Sequence, residues 1–274
     1  MYEEKKLVID DSIELFTRQW RVEQPVANVV ITHGYTDHSG RYEQIAHYLN
    51  QHQISVFAFD LRGHGQSTGE RTTIQLFDEY IDDLDYFIKS LGTIIPLFLL
   101  GHSMGGLITY KYSISGKMPP VRGIILTSPS LIQNASASKL KIKIVLVLSK
   151  LLARKRSSVK LDASALSTDK VVIEEYNNDP LVANIGAKWK FLGELMRVMN
   201  TVPQSINQMK VPFIVFHDLN DRLSNPAGSK LLFEKSTSLD KTYETIEKCG
   251  HELLQGDRST RQKSMIIDWI NNRL

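Results

Sequence analysis

The chain is 274 residues long, 42% apolar and 23% charged, with 33 Lys and Arg against 30 Asp and Glu. That composition excludes a disordered tail, a collagen-like repeat and a bundle of membrane helices, and the length suffices to bury one large core. A net charge of +3 does not argue for nucleic acid, which needs a clustered basic face with stacking groups beside it.

Two β-rich runs come first, Lys6 to Ile9 and Ile13 to Trp20, and the turn-forming Asp10-Asp11-Ser12 between them predicts an antiparallel hairpin. Only a brief apolar stretch follows the charged N-terminus, not the h-region of a secretion signal, so a cytoplasmic protein is expected. From Ala27 onward, short apolar runs alternate with helix-length amphipathic segments, the pattern of an α/β protein with a mostly parallel sheet and crossover helices. Strands are expected at Ala27 to Thr32, Ser55 to Phe59, Pro96 to Leu100, Gly123 to Thr127, Pro212 to His217 and Thr242 to Glu247. Helical spacing covers about Tyr42 to His52, Ile74 to Ser90, the stretch after Ser103 to Ser115, and segments near 227–234 and 260–271. From Ser130 to Pro203 there are helix-like segments and no convincing strand, so 130–203 reads as an insert in a core built from 1–129 and 204–274.

The single cysteine, Cys249, excludes an internal disulfide and a thiolate-rich zinc site and fits a reducing compartment. The most apolar run, Ile142 to Leu152, is broken by Lys143, Ser149 and Lys150 and falls short of the ~20 residues that cross a bilayer. Gly63-His64-Gly65 and Gly69 imitate a dinucleotide fingerprint, but the last glycine comes one position late and no helix opens at once.

Gly101-His102-Ser103-Met104-Gly105 matches Gly-x-Ser-x-Gly between an expected strand and an expected helix. A serine on so tight a turn leaves no room for side chains two positions away, which is why glycine stands there. A serine hydroxyl needs a base, and the base needs a carboxylate to fix its tautomer. After such an elbow the acid precedes the histidine in the chain. Only His217 and His251 follow Ser103; His217 ends a strand where the acid belongs, so His251 is the expected base. Asp221 is the favoured acid, with Asp218 the rival, because Asp218 stands closer to the strand end and suits capping of turn amides. The N–H of Met104, at the start of the helix, and the N–H of Tyr35, after His33-Gly34, are the expected donors to the oxyanion.

With these residues the sequence resembles the α/β-hydrolase superfamily and, within it, the monoacylglycerol lipase and lysophospholipase branch. The resemblance rests on His33-Gly34-Tyr35-Thr36-Asp37-His38-Ser39-Gly40-Arg41-Tyr42, on Phe59 to Ser67, on Gly101 to Gly106, on Asp179-Pro180-Leu181-Val182 and on Asp221-Arg222-Leu223. It implies the α/β-hydrolase fold, an eight-stranded, mostly parallel sheet flanked by helices with a helical cap. It also implies a triad at Ser103, Asp221 and His251, oxyanion donors at Tyr35 and Met104, and no metal or organic cofactor. Two departures stand out: Tyr35 occupies a position that is small in the family, and Cys249-Gly250 precedes the histidine.

The implied reaction is hydrolysis of the acyl ester of a monoacylglycerol or lysophospholipid. The rivals are a short-chain carboxylesterase, an acyltransferase of the same fold, and a silent lipid-binding protein. His33, Gly34, Leu148 and Leu151 are expected to contact the substrate. Lys139 to Lys160 holds eight basic residues and no acidic one, interleaved with apolar residues from Leu140 to Leu152, so contact with an anionic membrane is expected through the cap. No aromatic residue lies in that stretch, which removes stacking on nucleic acid.

Overall fold

The computed structural model describes every residue except 134–138 and 159, so part of the expected cap span lies outside the described residues. Asp10 shapes the first turn: its Oδ1 accepts from the Ser12 and Ile13 amides and from the Ser12 hydroxyl. As a result β1 (Tyr2–Val8) folds back antiparallel on β2 (Glu14–Trp20). The chain then enters β3 (Ala27–Thr32), β4 (Ile54–Phe59), β5 (Leu97–His102), β6 (Gly123–Thr127), β7 (Phe213–Asp218) and β8 (Lys241–Ile246). Together the strands form one eight-stranded sheet in the order β1-β2-β4-β3-β5-β6-β7-β8, antiparallel as far as the β2–β4 pair and parallel beyond it.

Helices cover both faces: α1 (Glu43–Asn50), α2 (Asp78–Ser90), α3 (Met104–Ser113), α4 (Lys139–Leu151), α5 (Lys170–Asn178), α6 (Trp189–Ser205), α7 (Pro226–Lys235) and α8 (Thr260–Asn271). Strands covered on both sides must be apolar throughout, and every residue of β3, β4, β5 and β6 is buried. Two cores result. Phe59, Phe87, Leu107 and Phe213 build one, and Trp20, Ile45, Phe98 and Trp269 build the other.

The helix expected from Ile74 begins only at Asp78. Ile74 and Phe77 are buried as the apolar spacing demanded, but Glu79 accepts from the amides of Gln75 and Leu76, which ends the helix at that side chain. Between β6 and β7 the described residues form α4 to α6, short 3-10 turns and isolated bridges. Arg156 fastens this segment to the loop after β4, donating to Thr72 Oγ1, Arg71 O and Gly186 O. His38 contacts Asp179 across the same seam at 2.8 Å.

Candidate active site

Ser103 sits at the junction of β5 and α3 with φ 53° and ψ −118°, a left-handed backbone that a side chain tolerates only when the surroundings impose it. Gly105 shows what imposes it: a Cβ there would overlap the backbone oxygens of Thr32 and His33, so α3 approaches the end of β3 at contact distance. Gly101 faces Thr109 Oγ1 and Gly105 O in the same way. The loop after β3 crosses directly above the serine, since a Cβ on Gly34 would stand 3.2 Å from Ser103 Cβ. Neither the Tyr35 nor the Met104 amide donates a hydrogen bond among the described residues, so both N–H groups are available beside Ser103.

His251 follows β8 and is 2% exposed. Its Nδ1–H donates to Asp221 Oδ2 at 2.7 Å, which leaves the Nε2 lone pair of the neutral ring free to accept a proton. Two further bonds hold the residue: its amide donates to Leu166 O, and its carbonyl accepts from the Ser128 hydroxyl. Ser103 and His251 line one cavity together with Gly34, Tyr35, Leu166 and Tyr176. Ser103 Oγ is turned to Ser130 Oγ at 3.3 Å, and among the described residues no hydrogen bond joins it to His251. A rotation of the serine side chain is what would bring hydroxyl and imidazole together.

Burial alone would raise the Asp221 carboxyl, but His251, His217 and the Ser224 amide outweigh it and hold the acid far below the ordinary carboxylate range. His217 is wholly buried, donates from Nε2 to the same Oδ2 at 3.1 Å, and accepts from Ser229 Oγ at 2.7 Å. Asp221 is thus gripped by two imidazoles, a role for His217 that the sequence did not suggest. Asp218 turns away from the triad. Its Oδ2 accepts from the Cys249 and Gly250 amides at 2.7 and 2.8 Å, and its Oδ1 accepts from Asn220, so the rival acid braces the histidine loop.

Three of the expected substrate contacts do not line the cavity over Ser103. His33 is fully buried; its Nε2 accepts from the Leu61 amide and its Nδ1–H donates to Gly34 O, so the ring supports two loops and offers nothing to a ligand. Leu148 and Leu151 do not line the cavity. Leu151 is 74% exposed, because α4 packs on α6 through Ser149 and Gly193 and turns Leu140, Ile144, Val147 and Leu151 to solvent as one stripe. Gly34 alone of the four stands at the cavity.

The sequence also gave no sign of a buried ion cluster beside the base. Arg41 donates both guanidinium arms to Glu252 at 2.6 and 2.8 Å and reaches Asp37 at 3.2 Å, while Tyr42 donates to Asp37. Tyr35 stacks on Phe191 of α6 and fills the space between the first loop and α6. The cavity that remains over Ser103 measures about 10 Å³, room for a water molecule and not for an acyl chain.

Comparison with known proteins places the chain in a family. A family model described as serine aminopeptidase, S33 (Hydrolase_4) matches residues 23–258. Monoglyceride lipase of Rattus norvegicus is 35% identical over 98% of this chain and 90% of its own length. Phospholipase YtpA of Bacillus subtilis is 34% identical over 85% of this chain and 91% of its own. The crystal structure of Paleococcus ferrophilus monoacylglycerol lipase superposes with a TM-score of 0.85 at 27% identity, covering 95% of this chain and 99% of that one.

Proposed function

Because the chain belongs to the Hydrolase_4 (serine aminopeptidase, S33) family, we propose that it is a serine hydrolase cleaving the acyl ester of monoacylglycerols, through Ser103, His251 and Asp221. The observation that carries this reading is the strained Ser103 elbow sharing one cavity with the 2.7 Å His251–Asp221 pair. Ser103 Oγ attacks the ester carbonyl as His251 Nε2 takes its proton, and the Tyr35 and Met104 amides receive the oxyanion. His251 then protonates the departing glycerol oxygen. Water, activated by the same imidazole, releases the fatty acid. Asp221, which stays ionised, orients the ring and stabilises the imidazolium.

The segment 130–203 acts as the cap in this reading and shifts as substrate enters the small cavity over Ser103. The α4 stripe with Lys143, Lys150 and Arg154 around it fits an anionic bilayer surface, from which a lipid ester would be drawn. No helix among the described residues is long and apolar enough to cross a membrane. In this reading contact with the bilayer is peripheral, through the α4 stripe and the basic residues around it.

The test is product analysis on monoacylglycerols, lysophospholipids and short esters, paired with fluorophosphonate labelling. Release of fatty acid from monoacylglycerol with the label on Ser103 is expected. A chain that binds lipid yet neither turns over any ester nor takes the label would overturn the assignment.

A further inference from the structure

The triad does not require the hydroxyl that Ser103 faces. Ser130, just beyond β6, stands 3.3 Å from Ser103 Oγ, and Ser130 Oγ stands 2.7 Å from Ser224 Oγ. The backbone fixes this row at both ends. The Ser130 amide donates to Ser103 O at 3.0 Å, and the Ser224 amide donates to Asp221 Oδ1 at 3.0 Å. Ser224 is 3% exposed, so its side chain is settled by its protein neighbours.

Each hydroxyl has one proton to give and two lone pairs to accept with. Among the described residues Ser224 Oγ meets no acceptor other than Ser130 Oγ, so its proton points there. Ser130 has then accepted, and its own proton is left for Ser103 Oγ. The direction runs Ser224 to Ser130 to Ser103, and the proton on Ser103 is left for His251 once the serine side chain turns toward the imidazole.

We propose that Ser130 is a further catalytic residue, a hydrogen-bond donor to the nucleophile's oxygen that Ser224 aims. The proposal rests on the reading of Ser103 as nucleophile. In acylation the Oγ–carbon bond forms, the ester carbon–oxygen bond breaks, and the leaving oxygen takes the proton that His251 received from Ser103. In deacylation a water oxygen bonds to the acyl carbon and passes a proton to His251. The carbon–Oγ bond then breaks, and Oγ leaves carrying negative charge until His251 returns that proton. Ser130 transfers nothing; its O–H points at the oxygen whose charge grows as it departs. Its contribution is largest in deacylation, where Oγ is the leaving group and has no proton of its own.

Stopped-flow hydrolysis of p-nitrophenyl acetate separates the two steps, since acylation releases the chromophore in a burst and deacylation sets the steady rate. Ser130→Ala is expected to keep the burst rate within about twofold while steady turnover falls roughly tenfold and KM falls with it. Ser130→Thr, which restores a hydroxyl, is expected to regain most of the loss, and Ser224→Ala to show a smaller loss in the same step. Burst and steady phases of Ser130→Ala equal to the parent's, or falling in parallel, would overturn the proposal. If Ser130→Ala does not fold, the Ser224→Ala ratio decides: a slower steady phase at constant burst supports the donor row, and an unchanged ratio overturns it. Ser103→Ala separates the two levels. Turnover surviving in that variant means the nucleophile reading itself has failed, whereas a dead Ser103→Ala beside an unaffected Ser130→Ala removes only the donor.

Discussion

The loops that carry Ser103, Asp221 and His251 and the helix α4 are held by different forces. Around the triad, buried carboxylates fix the backbone: Asp218 takes the Cys249, Gly250 and Asn220 amides, and fully buried Asp60 takes the Ser39 and Gln66 amides and Arg18. Part of 130–203 shares in this, since Leu166 O accepts from both His251 and Glu252 and Tyr176 meets Thr36 at 2.6 Å. α4 instead meets α6 where Ser149 lies against Gly193 and shows the Leu140, Ile144, Val147 and Leu151 stripe to solvent. Directional bonds suit atoms that must not move. Area-dependent contacts suit a helix that slides or docks. Geometry for chemistry and access for substrate are thereby separated within one chain.

The largest test of that separation is Ser103→Ala. If the triad loops carry the chemistry, kcat on any ester falls by at least about 10⁴-fold while binding to lipid vesicles is unchanged. Turnover is followed by fatty-acid release and binding by co-sedimentation; loss of both together would mean that the two regions are not independent. Next comes Asp218→Ala, which touches no reacting atom but frees the backbone just ahead of His251. A displacement of the base by about 1 Å costs on the order of 100-fold in kcat with little change in KM. Asp218→Asn, which keeps one acceptor oxygen, is expected to recover part of it. A wild-type kcat in Asp218→Ala would show that the histidine loop needs no brace.

Much of the catalytic edge was legible because its signals are local. The elbow announces itself within five residues, since Gly101 and Gly105 are demanded by contacts that any chain making this turn must meet. The apolar runs marked β3, β6 and α8 at the bounds they have in the structure. Arg41 and Glu252 are a different matter: they meet across 211 positions, and no spacing rule links them before the fold exists. The Ser130–Ser224 contact, 94 positions apart, is hidden for the same reason. The placement of His33 and Leu151 was not legible, because composition does not tell which way a side chain turns. A histidine next to a catalytic loop suits a ligand as well as a brace, and a leucine on an amphipathic helix suits an acyl channel as well as an outward stripe.

The outward stripe gives the third test. Ile144→Glu or Val147→Glu is expected to weaken partition onto anionic vesicles roughly tenfold, the scale of one aliphatic side chain withdrawn from lipid. Hydrolysis of a soluble short ester is expected to stay within about twofold. Charge reversal at Lys143, Lys150 and Arg154 should remove the preference for anionic over neutral vesicles; Arg156 is left out because it fastens the segment to the core. Equal vesicle binding in all these variants would break the membrane side of the comparison.

The smallest effect is one of pH, and it belongs to the triad side alone. Burial, with His33 adding to it, pushes the His64 imidazole down to about 3, and burial with His251 does the same to His102. In the unfolded chain both titrate near 6.5, so below that pH the unfolded state binds protons that the native state refuses. Their contribution to stability is complete above about pH 6.5 and is lost as the pH falls towards 3, at roughly 1.4 kcal/mol per pH unit for each ring. Asp221 acts in a lower window, because its depressed carboxyl stabilises the fold above about pH 4 and ceases to do so only below that. Between pH 6 and 4.5 the two depressed imidazoles therefore contribute to the slope of stability against pH. His64→Gln is the variant that isolates one of them: His64 Nδ1–H donates to Arg62 O at 3.1 Å, a bond that an amide can replace, and its Nε2 has no partner among the described residues. Denaturant melts at stepped pH are expected to show a slope shallower by about one imidazole in this variant. The α4 variants should keep the parent slope, since no histidine lies in that helix. An unaltered slope in His64→Gln would mean that the ring accepts its proton in the folded protein, and that this part of the core is less closed to water than its burial requires.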